Sequence, residues 1–240
     1  MANGSGIVIP KVDFTTLNCN GIAAGSYFVG FDQGNDGKLS KMDHLGNITI
    51  IEGATVSQFM YEIGEWVSSE GGVIAHRWLS TTAGGFPTVG TVQNYLVVDI
   101  DDLSSGAPFI IDTPIYLPTY YNKWDGNTNC INFTAAGGAV SGTAIYLCNI
   151  STSNGKNDWY LPAIDELSKI WHNRWEIGQG LANAGGTQLV SINSNSADYL
   201  SSTGQGESVY RLKPFYGYVY ENDPANSCYV RAVRKFSLVI

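Results

Sequence analysis

Ionic side chains are scarce in this chain of 240 residues: Lys, Arg, Asp and Glu together make up 14%, against roughly 25% in an average globular protein. The surface is therefore polar rather than ionic. The formal net charge of −8 is spread along the chain without a basic run, so nothing supplies the cationic footprint that phosphate neutralisation needs; nucleic acid is not an expected partner. Long apolar runs are missing as well. Tyr95-Leu96-Val97-Val98 is far short of the roughly 20 residues that span a bilayer, and no membrane segment is expected. Met1-Ala2-Asn3-Gly4-Ser5-Gly6 has no basic and apolar leader, so the expected route out of the cytoplasm where it is made is lysis rather than secretion. The four cysteines, Cys19, Cys130, Cys148 and Cys228, form no C-x-x-C pair and read as reduced, structural thiols.

What is abundant is Gly (28 residues) and Tyr (14), with Asn, Ser and Thr, the usage of a strand-and-loop protein. The length suits one ordinary domain with a small appendage. Residues 1–53 read as short strands, Gly6–Ile9, Ser26–Phe31 and Gly46–Ile51, broken at Asn35-Asp36-Gly37 and His44-Leu45-Gly46-Asn47, where the residues tolerate positive φ. Such a β element is too small to be stable without a partner. From Thr55 to Ser68 the period changes: Val56, Phe59, Met60, Ile63 and Val67 share one face of a helix. We expect a helical connector over residues 54–76, its apolar stripe facing either its own domain or a second copy of the chain.

Residues 77–240 form the display domain in this reading. Gly84-Gly85-Phe86-Pro87 marks a loop and Tyr95–Ile100 a strand; the stretch carrying Pro108, Pro114 and Pro118 and then Trp124-Asp125-Gly126-Asn127-Thr128 reads as loop. Thr143–Cys148 fits a strand or a helix equally. A second helix is clearer, with Ile164, Leu167, Ile170, Trp171 and Arg174 on one stripe, Pro162 before it, and Asp165 and Glu166 at its positive end. Strands are expected over Ala197–Thr203, Ser208–Leu212, Gly217–Tyr220 and Cys228–Arg234. The fold class is α+β: a β attachment segment, a connecting helix and an α+β terminal domain.

Three ordered motifs carry a resemblance. Asp158-Trp159-Tyr160-Leu161-Pro162-Ala163-Ile164-Asp165-Glu166-Leu167, Tyr199-Leu200-Ser201-Ser202-Thr203 and Val230-Arg231-Ala232-Val233-Arg234 resemble the W-x-L-P-T-x-x-E-L, Y-W-S-S-T and V-R-x-V-R order of bacterial and phage domains with the formylglycine-generating-enzyme type of C-type lectin fold. The resemblance covers roughly residues 120–240 and implies a rigid scaffold that presents loops to a ligand. Trp159 and Leu161 suit a core seam, and Ser201-Ser202-Thr203 can satisfy buried backbone groups. Two positions depart from the pattern. Ala163 replaces the usual Thr, removing a hydroxyl N-cap at a cost of about 1 kcal/mol, and Leu200 replaces the common Trp; both suggest local repacking or an altered exposed surface. At the other end, Ser26–Asp32, Gly37–Asp43 and Leu45–Thr49 look like the leading segments of phage head-fibre and tail-fibre proteins, which attach a fibre to the particle.

The chemistry of these resemblances is tested by particular residues. Formylglycine-generating enzymes oxidise with a cysteine pair near the C-terminus; here Cys228 stands alone, with Ala232 near the expected second position. His44, His76 and His172 are scattered without the i, i+4 spacing of a helical metal site, and no G-x-S-x-G is present. Asp32, Asp36, Gly37 and Asp43 fall at positions 1, 5, 6 and 12 of a calcium-loop register, but Gly34 at position 3 and strand-like flanks favour a β-turn with solvated carboxylates. Glu221-Asn222-Asp223-Pro224 and Asn157-Asp158-Trp159 hold the letters of calcium-dependent sugar motifs but not their order. No catalytic residue, metal or cofactor is expected. The binding candidates are Tyr216, Tyr218, Tyr220 and Asn222, since Tyr with Asn, Ser and Gly is the chemistry of adaptable paratopes.

The expectation is a non-enzymatic phage structural protein, a head fibre or capsid decoration, located in the virion. It joins other virion proteins, capsid or tail, through residues 1–53, assembles as a homo-oligomer, and meets a host surface glycan or protein through its lectin-fold domain. A lectin-fold adhesin outside the virion and a formylglycine-generating-type oxidase are the alternatives.

Overall fold

The computed structural model describes residues 11–12, 27–32, 38–43, 48–50, 61–85, 90–111, 122–189, 197–214 and 216–239, and the chain divides into two compact units, Met1–Phe59 and Met60–Ile240. The first unit contains a sheet in the order β1 (Lys11–Val12), β2 (Tyr27–Asp32), β3 (Lys38–Asp43), β4 (Ile48–Ile50). Strands β2, β3 and β4 run antiparallel, and β1 joins β2 in parallel. The strands expected at 26–31 and 46–51 are thus present with shifted ends, and β3 occupies the segment after the Asn35-Asp36-Gly37 turn. The segment expected at Gly6–Ile9, and both turns, lie outside the described residues. Register also bears on the calcium-loop pattern: Asp32 pairs with Lys38 while Asp43 pairs with Tyr27. The two carboxylate positions stand at opposite ends of the ladder, about 17 Å apart at the usual rise per residue.

The helix expected over Thr55–Ser68 is corrected by the second unit. Residues 54–60 lie outside the described residues, but 61–76, the rest of the expected connector, are a turn, strand β5 (Trp66–Val67), a short 3-10 turn (Ser68–Glu70) and most of β6 (Gly72–Ser80). Gly64 explains the error. Its φ is +84°, and a Cβ there would come within 2.5 Å of the Glu176 carbonyl oxygen, so the chain reverses instead of coiling. Gly64 N donates to Ile74 O at 2.8 Å and Ile74 N to Glu65 O at 2.9 Å, which ties the segment to β6. The spacing of Ile63 and Val67 is helical only by coincidence.

Among the described residues, two sheets and four α-helices build the second unit. One sheet runs β13 (Val233–Val239), β7 (Val92–Asp99), β6, β5; the other runs β11 (Tyr218–Asn222), β10 (Ser208–Lys213), β9 (Tyr199–Gln205), β12 (Cys228–Val230), β8 (Ser104–Ala107). The segment expected as one strand, Cys228–Arg234, is two, because Arg231-Ala232 carries the chain from the second sheet to the first. Helices α3 (Ile164–His172) and α4 (Arg174–Ala184) divide the expected apolar stripe, and the ambiguous Thr143–Cys148 resolves as α2 (Ala144–Ile150). Helix α1 (Gly126–Ala135) lies where a loop was expected; Asp125 caps it, accepting the Thr128 N–H at 3.5 Å and the Thr128 hydroxyl at 2.7 Å. Among the described residues, no helix is long and apolar enough to cross a membrane. The core joins both sheets and the helices, with Val73, Leu96, Phe109, Phe133, Trp159, Leu161 and Leu200 among its members.

The three sequence motifs meet at this core. Tyr160 and Val233 exchange backbone hydrogen bonds at 2.8 and 3.0 Å, and Ser202 N donates to Pro162 O at 2.8 Å. Arg234 grips Asp158 through Nε at 2.6 Å and Nη2 at 2.9 Å, and reaches Glu70 with Nη1 at 2.7 Å. Arg231, 1% exposed, donates to Asp102 Oδ1 at 2.7 Å and to the carbonyls of Asp99 and Thr187 at 2.9 and 3.0 Å. Buried guanidinium groups with every direction partnered act as rigid struts. Glu166 is the third node: it accepts from Gly126 N, Ala163 N, the Tyr160 hydroxyl and Lys235. Burial pushes its carboxyl above the usual range, against the pull of Lys235.

The two positions that depart from the resembled motifs are buried, Ala163 at 0% and Leu200 at 1% exposure, so neither forms an exposed surface. The hydroxyl N-cap expected to be missing at Ala163 is missing. Ile164 N donates to Thr203 Oγ1 at 3.0 Å, Asp165 N to Lys123 O at 2.9 Å, and Ala163 N to Glu166 Oε2 at 2.8 Å, so three N–H groups at the helix start find other acceptors.

Candidate functional site

Strands β9, β10 and β11 form a meander whose last strand is an edge of the second sheet. The β10–β11 turn closes through Gly217 N donating to Lys213 O at 2.8 Å. Gly217 has a φ of +69°, and a Cβ there would stand 2.1 Å from Trp171 Cζ2. The turn thus lies flat on the indole of α3, which in turn donates from Nε1 to Pro214 O at 3.0 Å. A glycine is required twice over, by conformation and by contact.

Register then sets the faces. Lys213 pairs with Tyr218 and Arg211 with Tyr220, while Leu212 pairs with Val219 on one side and Tyr199 on the other. Directly opposed residues share a face, so Tyr199 and Leu212 look toward the helices and Tyr218, Tyr220, Lys213 and Arg211 look away. On that outer face Tyr216 and Tyr218 stack with centroids 5.3 Å apart and planes at 16°, and Tyr218 meets Tyr220 edge-on at 5.8 Å. Tyr216 is 54% and Tyr218 49% exposed.

The base of the ladder is anchored. The half-buried Tyr220 donates its hydroxyl to Asp198 Oδ2, and Asp198 lies 3.8 Å from Lys213 Nζ. Loss of solvent, followed by the hydrogen bond to a carboxylate, pushes the Tyr220 phenol up to about 12. Asn222 Oδ1 accepts from Asp223 N at 2.7 Å and from Asn226 Nδ2 at 3.2 Å, and buried Arg211 holds the same turn through the carbonyls of Asp223 and Asn226.

Three of the four binding candidates therefore form one aromatic ladder, two of them open to solvent and the third fixed at its foot. Asn222 shapes the adjoining turn. Sequence reading missed Asp198, Lys213 and Trp171, which hold the ladder from below. Only the i, i+2 spacing of the tyrosines signalled the face; the anchors depend on register, which no local pattern reports.

The other sequence candidates are dispersed. Cys130, Cys148 and Cys228 are free and buried. Burial pushes the Cys228 thiol up to about 11, and those of Cys130 and Cys148 also upward. Cys228 lies in β12, and Ala232 is fully buried at the sheet crossing. His76 stacks on Trp78 at 5.8 Å, and His172 contacts the Ser168 carbonyl; His44 and Cys19 lie outside the described residues. Among the described residues, no group of three or more His, Cys, Asp or Glu could hold a metal ion.

Among the described residues, two concavities adjoin helix α3. A cleft of about 160 Å³ is bordered by His76, Trp78, Trp124, Asp165 and Lys169 over a floor of Glu166 and Lys235; its floor charges are paired with one another at 2.7 Å. A larger pocket, about 520 Å³, lies against α3 and α4 with Tyr199 and Leu212 behind it, on the sheet face opposite the tyrosine ladder. No protein-family model matches the chain, and no curated protein matches its sequence.

Proposed function

We propose that the chain is a non-enzymatic structural protein of a phage particle, a head fibre or capsid decoration. In this reading residues 1–53 join the particle, and a C-type-lectin-like domain of the formylglycine-generating-enzyme type presents a binding face to a glycan or protein of the host surface. The observation that carries the reading is the tyrosine ladder. Tyr216 and Tyr218 are exposed aromatic side chains stacked at 5.3 Å, held on an edge strand by Gly217 against Trp171 and by Tyr220 on Asp198. Rigid aromatics on a fixed scaffold bind with little ordering cost.

The chemistry of the thiols supports a non-catalytic role. An oxidase needs an accessible thiolate pair, whereas Cys228 is buried with its thiol pushed up to about 11 and Ala232 occupies the neighbouring expected position. Assembly as a homo-oligomer suits a small β element of four short strands, which is hard to stabilise alone.

Two measurements test the proposal. Purified particles should contain the chain in fixed stoichiometry through gradient fractionation; its absence from them would leave an adhesin outside the virion. The double variant Tyr216→Ala/Tyr218→Ala should reduce adsorption to host cells at least about tenfold, with unchanged circular dichroism. Unaltered adsorption by a folded variant removes the ladder as the binding face.

A further inference from the structure

The pocket of about 520 Å³ against α3 and α4 carries a charge that no described residue neutralises. Arg174, the first residue of α4, lies over the Trp171 ring at 4.2 Å and near the Trp175 ring at 5.0 Å. Stacking occupies the flat of the guanidinium and leaves its rim for hydrogen bonds. Nη1 donates to Trp171 O at 2.9 Å. The Nε–Nη2 rim, the side that meets a carboxylate in bidentate fashion, has no acceptor among the described residues, and Nε is buried. A buried donor without an acceptor is costly.

The rest of the lining explains which ligand would relieve it. Leu167, Ile170, Leu189 and Leu212 supply apolar walls, and Trp175, 61% exposed, stands at the mouth. No Asp or Glu lines the pocket among the described residues. The second cation at the pocket, Arg231, is already spent on Asp102 and on two carbonyls. The site therefore combines an apolar hollow, two indoles and one uncompensated cation, in a chain whose net charge is −8.

We infer that this pocket is a binding site for a small aromatic carboxylate, its ring held between the apolar walls and Trp175 and its carboxylate on Nη2 of Arg174, the unpartnered nitrogen that is not buried. Such a ligand supplies both missing parts, the counter-charge and the apolar filling. The site lies on the sheet face opposite Tyr218 and Tyr220, so it is separate from the host-binding face proposed above and stands or falls independently of it.

Indole-3-acetate is a suitable probe, with indole-3-acetamide as its uncharged counterpart. Titration of the full chain, read from the indole N–H signals of Trp171 and Trp175 by nuclear magnetic resonance, should give saturable shifts with a dissociation constant of about 1 mM or tighter. The amide should bind at least about tenfold more weakly, for lack of the charge-assisted bond. Arg174→Gln should erase that preference. Ala182→Trp, which fills the pocket from an exposed position on α4 without touching Arg174, should abolish binding of both probes while Tyr216→Ala/Tyr218→Ala leaves it intact. Absence of saturable shifts up to about 10 mM, equal affinity for acid and amide, or binding that survives Ala182→Trp overturns the inference. Should Arg174→Gln fail to fold, the acid-to-amide ratio and the Ala182→Trp variant still decide it.

Discussion

The hydroxyl of Thr203 accepts the backbone N–H of Ile164 at 3.0 Å, across 39 positions of sequence. A strand thus caps a helix whose own N-cap residue, Ala163, has no polar side chain. The N–H of Asp165, one of the two donors that an N-cap hydroxyl meets, is held by Lys123 O at 2.9 Å, so Ala163→Ser should gain less than about 0.5 kcal/mol, where an open cap would gain about 1 kcal/mol. Thr203→Val, which also loses the hydroxyl bond to Asn122 O at 3.1 Å, should cost about 2–3 kcal/mol. Urea denaturation of both variants measures the contrast, and a large gain in Ala163→Ser would show that the cap is open.

Arg231 is buried and holds a carboxylate and backbone carbonyls together. Arg231→Met leaves Asp102 without its cation and two carbonyls without donors, so a loss of about 3–5 kcal/mol is expected. Burial already pushes the Asp102 carboxyl above its ordinary range while Arg231 pulls it back. In the variant that carboxyl should titrate higher still, and carbon-detected nuclear magnetic resonance of the side chain can follow it.

Gly217→Ala should destabilise the domain by about 2 kcal/mol or more, because the new methyl group meets Trp171 in a backbone conformation that alanine disfavours. The near-ultraviolet dichroism of the tyrosine ladder should change with it. A neutral effect would mean that the turn does not rest on the indole.

His76 gives a pH dependence with a definite sign. Burial, aided by Lys169, lowers its folded pKa from 6.5 to about 4. Between those values the unfolded chain binds a proton that the folded chain refuses, so this contribution to stability is lost as pH falls from 6.5 toward 4. His76→Phe, which keeps the ring stack on Trp78, should show a smaller loss over the same window in urea midpoints. An unchanged slope would place the titration elsewhere.

In a Cys19→Ser background, no thiol should react with a disulfide reagent until the protein is denatured. Cys130, Cys148 and Cys228 are all buried, and burial raises each thiol. Rapid labelling of the native protein at any of the three would contradict that burial.

How much of this was legible in the sequence depended on whether the cause was local. The α3 stripe, the buried Trp159 and Leu161, and the strands from β9 to β11 follow from periodicity and composition. Helix α1 was missed because Gly126-Asn127-Thr128-Asn129 is a poor helix-forming run; its one signal was Asp125 as cap, three residues before Thr128. The helix expected at Thr55–Ser68 fails in its described part because Gly64 approaches the Glu176 carbonyl, a contact between segments more than 100 positions apart that spacing cannot reveal. The tyrosines were visible as a cluster, yet which of them is exposed was decided by pairing with Lys213 and Arg211. Arg174 read as the tail of an apolar stripe, since its isolation from carboxylates is a property of the folded neighbourhood.

The sheet crossing at Arg231-Ala232 also constrains the order of events during synthesis. A ribosome that has made everything before Cys228 has produced β8 and β9 but not β12, the strand that pairs with both. It has produced β7 without β13, and has left Asp102, Asp158 and Glu166 without the cations of Arg231, Arg234 and Lys235. The nascent domain therefore stays an open assembly of helices and half-built sheets until residues 228–239 emerge from the ribosome. Until then β7, β8 and β9 each lack the late strand that pairs with them, and unpaired strand edges of this kind favour aggregation.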